Sequence, residues 1–237
     1  MESERFPGKA LVAETGTPLV MHVMEQARQA TEVDRVVVVA PPGPIIDTVQ
    51  AAGGEAMATR LDHPNGTSRI AEVAEQLQAD ILVNVQGDEP EIEPATIDAA
   101  ISALRANPDC PMATVASPFG PEDDPTDPNL VKVVLDRQGR ALLFSRAAIP
   151  HQRDPGTESP APPLRHVGIY AYQRSFLGEF SRWAPTPLEQ TEKLEQLRVL
   201  ENGRSIAVAI RRCFHQGIDT PEQYAAFVQR YRTRVRA

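Results

Sequence analysis

The residues best able to do chemistry stand in one stretch, Ile81-Leu82-Val83-Asn84-Val85-Gln86-Gly87-Asp88-Glu89-Pro90. Four of the five residues from Ile81 to Val85 are apolar, the pattern of a short strand buried on both faces. Gly87 lets the backbone leave the sheet, and Asp88 and Glu89 follow where the strand opens into a loop. In open α/β sheets ligands bind beyond the carboxyl ends of strands. A carboxylate there commonly holds a divalent cation against a phosphate. Gly-Asp is also ordinary turn chemistry, so this stretch alone is compatible with either.

Three further groups carry charge worth placing. Arg5-Phe6-Pro7-Gly8-Lys9 is a loop whose two cations and turn backbone could wrap a phosphate, or a frayed terminus. Asn65-Gly66-Thr67-Ser68-Arg69 leads into a helix, so it offers an anion a helix N-terminus. Arg69 is unfavourable near the positive end of that dipole, which hints at a function, although an exposed surface Arg fits equally well. Leu164 to Tyr172 alternates with period two, placing His166, Gly168 and Tyr170 on one face and Arg165 with Val167 on the other. A Gly between His and Tyr leaves room for a ligand; a half-exposed strand whose polar face meets water is the plainer alternative.

The supporting elements read as an α/β chain. A helix follows Thr17-Pro18, a strand covers Arg35 to Ala40, and a helix from about Ile45 ends before Gly53-Gly54. A weak strand at Glu55–Thr59, a helix from about Ser68 to Leu77, the central strand and a helix after Pro94 continue the alternation. That alternation predicts parallel strands covered on both faces. Next come a strand at Pro111–Ala116 and a hairpin at Val131–Ser145 around Arg137-Gln138-Gly139-Arg140, which makes the sheet mixed. Pro187 opens a helix running to about Leu200, whose charges should form a solvated face. A strand at Ser205–Arg211 precedes a final helix near Pro221, capped by Asp219 or Thr220, and Arg230 to Ala237 reads as a frayed basic tail.

Composition narrows the class. The 24 Lys and Arg against 32 Asp and Glu give a formal net charge of −8, with no long basic run, which argues against a general nucleic-acid binder. No apolar run approaches the roughly 18 residues of a membrane span. Cys110 and Cys213 fit no metal or redox spacing, and a cytoplasmic location is the simplest assignment. The 22 prolines cluster at loops, and no internal repeat or linker divides the chain, so one domain over residues 1–237 is expected.

Taken in order, the strings S-x-R-F-P-G-K at 3–9, G-T-x-R at 66–69, V-N-V-Q-G-D-E-P at 83–90, N-x-V-K-V-V at 129–134, F-S-R at 144–146, R-H-x-G-I-Y at 165–170, P-L-E-x-x-E-x-L-E-Q-L-R at 187–198 and G-I-D-T-P-E at 217–222 resemble the 3-deoxy-manno-octulosonate cytidylyltransferases, or CMP-KDO synthetases. The resemblance spans essentially the whole chain. It implies a mixed, mostly parallel sheet flanked by helices, of the Rossmann-like nucleotide-diphospho-sugar transferase type, assembled as a homodimer. It implies CTP and 3-deoxy-manno-octulosonate (KDO) as substrates, Mg²⁺ as cofactor, and CMP-KDO for lipopolysaccharide and pyrophosphate as products. By position, Arg5 and Lys9 would grip the CTP phosphates beside Ser3, and Arg69 and Gln86 would border the nucleotide. Asp88 and Asp219 would hold the cation. Arg146, Arg165, His166, Tyr170, Glu195 and Gln196 would line the sugar pocket, with residues 118–172 contributing to it and to a dimer contact.

Positioning and electrostatic stabilisation supply most of the catalysis in transfers of this kind, so no His general base is required. Cytidylyltransfer to 8-amino-KDO or a sialic acid is the alternative activity, and a catalytically inactive nucleotide-binding relative is the alternative class. In the family a hydrophobic strand ending in Pro-Ala-Arg precedes the first loop, and here it is missing before Met1. The expectation is that the frame upstream of Met1 encodes such a Val- and Ile-rich strand, because two phosphate-binding cations need a rigid element to aim them.

Overall fold

The computed structural model describes residues 6–63, 65–121, 123–154, 161–214 and 217–236. After a short 3-10 helix at Lys9–Leu11 come α1 (Leu19–Arg28), β1 (Val37–Ala40), α2 (Pro44–Ala51) and β2 (Glu55–Ala58). Next are α3 (Gly66–Ala74), β3 (Ile81–Asn84), α4 (Pro94–Ala106), β4 (Met112–Pro118), β5 (Lys132–Leu135) and β6 (Ala141–Ser145). The chain closes with β7 (Leu164–Gln173), α5 (Arg174–Phe180), α6 (Pro187–Glu192), α7 (Leu197–Glu201), β8 (Ile206–Ile210) and α8 (Pro221–Arg236). It divides into two compact units: Met1–Gln78 with Asn84–Asp98 and Phe214–Ala237, and Ala79–Val83 with Ala99–Cys213.

In the first unit β1 and β2 pair in parallel, from Val37 opposite Glu55 to Ala40 opposite Ala58, with α2 between them in sequence. Pro44 starts α2, where a missing N–H costs nothing. The buried Val49 of α2 packs with Val20 and Met24 of α1. Gly54 must be Gly, since a Cβ there would lie 2.7 Å from the Val49 side chain. A second cluster joins Leu19 to Ile218, Tyr224, Phe227 and Val228, with Phe6, Val12 and Tyr231 packed against it. Each fully buried Leu or Phe contributes about 1.5–3 kcal/mol, so this cluster holds the first loop against α8.

The second unit is built on a mixed sheet in the order β6-β5-β7-β4-β8, with β3 also pairing to β7. β4 and β8 run parallel, while β4 with β7, β5 with β7, and β5 with β6 run antiparallel. The mixed α/β architecture expected from the sequence is thus present. β4 is buried from Met112 to Ser117, as befits a strand with neighbours on both sides.

Two stretches differ from expectation. Lys193 adopts the left-handed conformation (φ 55°), so the expected helix from Leu188 to Leu200 is two short ones, α6 and α7. The bend buries Arg198 against Glu189, Nε to Oε2 at 2.7 Å, with the guanidinium 5.0 Å from the Phe180 ring centre, where a solvated face was expected. The basic tail as far as Arg236 is helical: α8 continues to that residue, held by ion pairs from Arg230 to Glu91 and by Arg232 donating to the Glu14 carbonyl at 3.0 Å. Neither partner is near in sequence.

Candidate active site

In the first unit Lys9 is the meeting point. Its ammonium donates to Asp88 Oδ2 at 2.6 Å, the Ile218 carbonyl at 2.8 Å and Asp219 Oδ1 at 3.2 Å. The loop reaches this place because Phe6 packs 5.9 Å from the Tyr224 ring, and Gly8 takes a positive φ of 71° that turns the chain into the 3-10 helix. Tyr224 also accepts the Glu14 N–H at 2.8 Å. The turn bearing Asp219 is pinned by Ile218 N–H donating to the Asp88 carbonyl at 2.8 Å. Thr220 takes the capping role, its hydroxyl accepting from Gln223 N–H at 3.3 Å, while the Asp219 carboxylate meets Lys9.

Burial pushes the Asp88 carboxyl upward; Lys9 opposes this, and the nearby charges of Glu89 and Asp219 add to it. The donors gathered here are two carboxylate oxygens and a carbonyl, all hard. Among the described residues no group of three or more His, Cys, Asp or Glu side chains is placed to hold a metal. The two carboxylates fall short of such a group but match the protein share of an Mg²⁺ shell, which takes one or two carboxylates and is completed by water and phosphate oxygens.

Arg69 lies in the same unit but is not the exposed residue that the sequence allowed. It is buried, and donates to the Thr59 hydroxyl and, at 3.0 Å, to the Arg60 carbonyl. Both partners are neutral. The turn before it is set by Asn65, whose side chain accepts Ser68 N–H at 2.9 Å. Gln86 lies 3.5 Å from the buried Asn84, and a Cβ on Gly66 would come 3.8 Å from the same Asn84 side chain. Gln86 and the start of α3 therefore share Asn84 as a neighbour. Ser3 and Arg5 lie outside the described residues.

In the second unit the strand pairing aligns Ser145, Lys132, Arg165 and Ser117 across β6, β5, β7 and β4. Arg165 donates to the Cys213 carbonyl at 2.9 Å. The His166 ring lies between Phe144 and Tyr170, at 4.9 and 5.5 Å between ring centres, so the His–Gly–Tyr face read from period two is present. A bulge in the β4–β7 pairing separates Val115 opposite Val167 from Thr114 opposite Tyr170. Burial pushes the imidazole down to about 3, so the ring is neutral. Thr114 fixes its tautomer. The Thr114 hydroxyl is 2.7 Å from the Ile169 carbonyl, which can only accept, and 3.0 Å from His166 Nε2. With its one hydrogen committed to the carbonyl, the hydroxyl accepts from Nε2–H, leaving Nδ1 as a lone-pair acceptor.

Arg146 is a brace as much as a free cation. Its Nε donates to the Glu192 carbonyl at 2.7 Å and its Nη1 to the Pro128 carbonyl at 2.9 Å. Glu192 in turn accepts from Ser145 at 2.7 Å and from Arg146 N–H at 3.0 Å. Those two bonds and the Arg146 charge hold its carboxyl low against desolvation. The fully buried Lys132 donates to the Arg146 carbonyl at 2.6 Å and to the Asp127 carbonyl at 2.9 Å. Sequence reasoning missed both Lys132 and Glu192 as parts of this knot; a Lys inside an apolar strand was the available signal. Glu195 stands 4.0 Å from Arg198. Gln196 is buried, and its Nε2 has no hydrogen-bond partner among the described residues.

A cytidylyltransferase family model matches residues 1–206. The 3-deoxy-manno-octulosonate cytidylyltransferase of Syntrophobacter fumaroxidans is 49% identical over 230 residues, covering 96% of this chain and 92% of that protein. That of Syntrophotalea carbinolica is 46% identical over 226 residues, 93% and 90% of the two chains. Among solved structures, CMP:2-keto-3-deoxy-manno-octonic acid synthetase complexed with CTP is similar with a TM-score of 0.91 at 37% identity, covering 98% of this chain and 95% of that one.

Proposed function

The chain belongs to the 3-deoxy-manno-octulosonate cytidylyltransferases, and from that membership and the site geometry we propose how its residues divide the transfer of CMP from CTP to KDO. The protein is a nucleotidyltransferase. The anomeric 2-hydroxyl of KDO attacks the α-phosphorus of CTP; the new O–P bond replaces the bond to pyrophosphate, which leaves, and the hydroxyl proton passes to solvent. The relatives described above are named for 3-deoxy-manno-octulosonate, and transfer to 8-amino-KDO or a sialic acid is not favoured.

The observation carrying the division of labour is the convergence of Asp88 and Asp219 on one cation, the Lys9 ammonium. Asp88 and Asp219 would hold Mg²⁺, which when bound neutralises phosphate charge and lowers the pKa of a coordinated hydroxyl. Lys9 and Arg5 would take the phosphates and stabilise charge developing on the leaving pyrophosphate. Ser3 would lie beside them, with Arg69 and Gln86 bordering the nucleotide. The neutral partners of Arg69 leave its charge available for an anion.

The second unit would take the sugar acid. Arg165 and Arg146 supply positive charge for its carboxylate. His166 Nδ1 accepts from a hydroxyl, the Gln196 Nε2 donor supplies what a sugar oxygen needs, and Glu195 and Tyr170 complete the set. The resemblance further supports a homodimer. Two free, buried cysteines suit a cytoplasmic enzyme. Among the described residues no helix is long and apolar enough to cross a membrane.

Pyrophosphate release tests the reading. It should require CTP, KDO and Mg²⁺ together, and equal release with a sialic acid in place of KDO would overturn the substrate assignment.

A further inference from the structure

Resting on the assignment of the cation to Asp88 and Asp219, we infer that Lys9 is the resident cation of that seat, which a divalent ion must displace and which then becomes available to the nucleotide phosphates. A Lys ammonium has three hydrogens and no more. Here each has a named acceptor: Asp88 Oδ2 at 2.6 Å, the Ile218 carbonyl at 2.8 Å and Asp219 Oδ1 at 3.2 Å. In this arrangement Lys9 cannot also grip a phosphate without giving up one of the three.

The two cations compete for the same carboxylates, because Lys9 already lies on one oxygen of each. Mg²⁺ binds carboxylate oxygen at about 2.0–2.1 Å. An ion at that distance from Asp88 Oδ2 would press against an ammonium already 2.6 Å from the same atom. Two positive charges that close repel, which disfavours holding both on that oxygen. The ammonium sits on a flexible four-carbon stem, whereas both carboxylates are held by backbone: Ile218 N–H pins the turn to the Asp88 carbonyl. The side chain is therefore the part that moves.

Two consequences follow. Without nucleotide Lys9 already offsets part of the seat's negative charge, so a free divalent ion binds weakly. A ligand that offers Lys9 a phosphate removes the competitor, so nucleotide and ion bind cooperatively, each improving the other by the same factor.

The full chain carries its own controls, because it has three lysines: Lys9, the buried Lys132 and the exposed Lys193. Acetylation of wild-type protein, followed residue by residue by mass spectrometry, should be faster at Lys9 by about tenfold on saturation with Mg²⁺ alone, the factor for losing about 1.4 kcal/mol of ion pairing. Lys193 should be unchanged. In a second measurement, Mn²⁺ binding read by electron paramagnetic resonance without nucleotide should tighten about tenfold in Lys9→Met and Lys9→Gln, and stay near wild type in Lys9→Arg. Unchanged or slower Lys9 acetylation with the ion bound, or weaker Mn²⁺ binding in a folded Lys9→Gln protein, overturns the exchange. Mn²⁺ binding that survives intact in Asp88→Asn overturns instead the assignment of the ion to that residue, so the two failures are distinguishable. The acetylation readout needs no variant to fold.

Discussion

Ile218 donates its backbone N–H to the Asp88 carbonyl at 2.8 Å, a single bond that lays the turn before α8 along the residues just past β3. The carboxylates of Asp88 and Asp219, far apart in sequence, reach one ammonium as a result. The Gln223 side chain adds to this hold on the turn, accepting from the Asp219 and Thr220 N–H groups at 2.6 and 3.0 Å.

Asp88→Asn and Asp219→Asn should each lower turnover at least about a hundredfold, the scale expected when stabilisation present mainly in the transition state is lost. The Asn side chain keeps the shape and removes the charge. Steady-state rates at saturating Mg²⁺ decide this, and a near-normal rate in either variant rejects the residue as a ligand.

Arg165→Ala should weaken KDO binding by about ten- to a hundredfold, the value of a charge-assisted hydrogen bond, and leave CTP binding unchanged. Isothermal titration with each ligand separates the two. Because Arg165 also holds the Cys213 carbonyl, a thermal melt should accompany it. Selective loss of CTP affinity would reverse the assignment.

His166 gives a pH signature. Its ring has an ordinary value of 6.5 and is pushed down to about 3 in the fold. Between those values the unfolded chain takes up a proton that the folded chain does not, so stability is complete above pH 6.5 and falls as pH drops towards 3. Melting curves of wild type and His166→Gln should therefore diverge on acidification, with wild type losing more. Nitrogen-15 NMR should show Nε2 protonated and Nδ1 bare, and Thr114→Val should disturb that tautomer. A ring that titrates near 6.5 contradicts both statements.

The Glu189–Arg198 pair separates a buried ion pair from a surface one. Its side chains are 12% and 8% exposed, so Glu189→Ala, which strands the guanidinium, should cost about 3 kcal/mol. Replacing both residues by apolar ones of similar volume should recover most of that loss. A cost below about 1 kcal/mol would mean that the pair is effectively solvated.

Much of this site could be read from local sequence. Asp88 beyond its strand, the Pro-Gly turn before Lys9 and the His–Gly–Tyr face depend on nearest neighbours and on period two. What could not be read depends on distant partners. For Arg69 an exposed position fits the local sequence as well as a functional one, because nothing local announces Thr59 and the Arg60 carbonyl as its acceptors. The α8 tail looked frayed because Glu91, its anchor, is 139 positions away. The helix from Leu188 to Leu200 has helical periodicity throughout, and only a residue in the left-handed region interrupts it.

That interruption at Lys193 bears on folding cooperativity. A side chain other than Gly in this region carries a local cost of order 1–3 kcal/mol, so the bend persists because its flanks are held from outside. On one side Glu192 is fastened to Ser145 and Arg146; on the other Arg198 donates to the Trp183 carbonyl at 3.3 Å, while its pair with Glu189 ties the two flanks together. Residues 187–201 therefore should not unravel turn by turn as an isolated helix does. Their amides should exchange with solvent as a block, and loosening either fastening should release the whole segment, Gln196 included, at once.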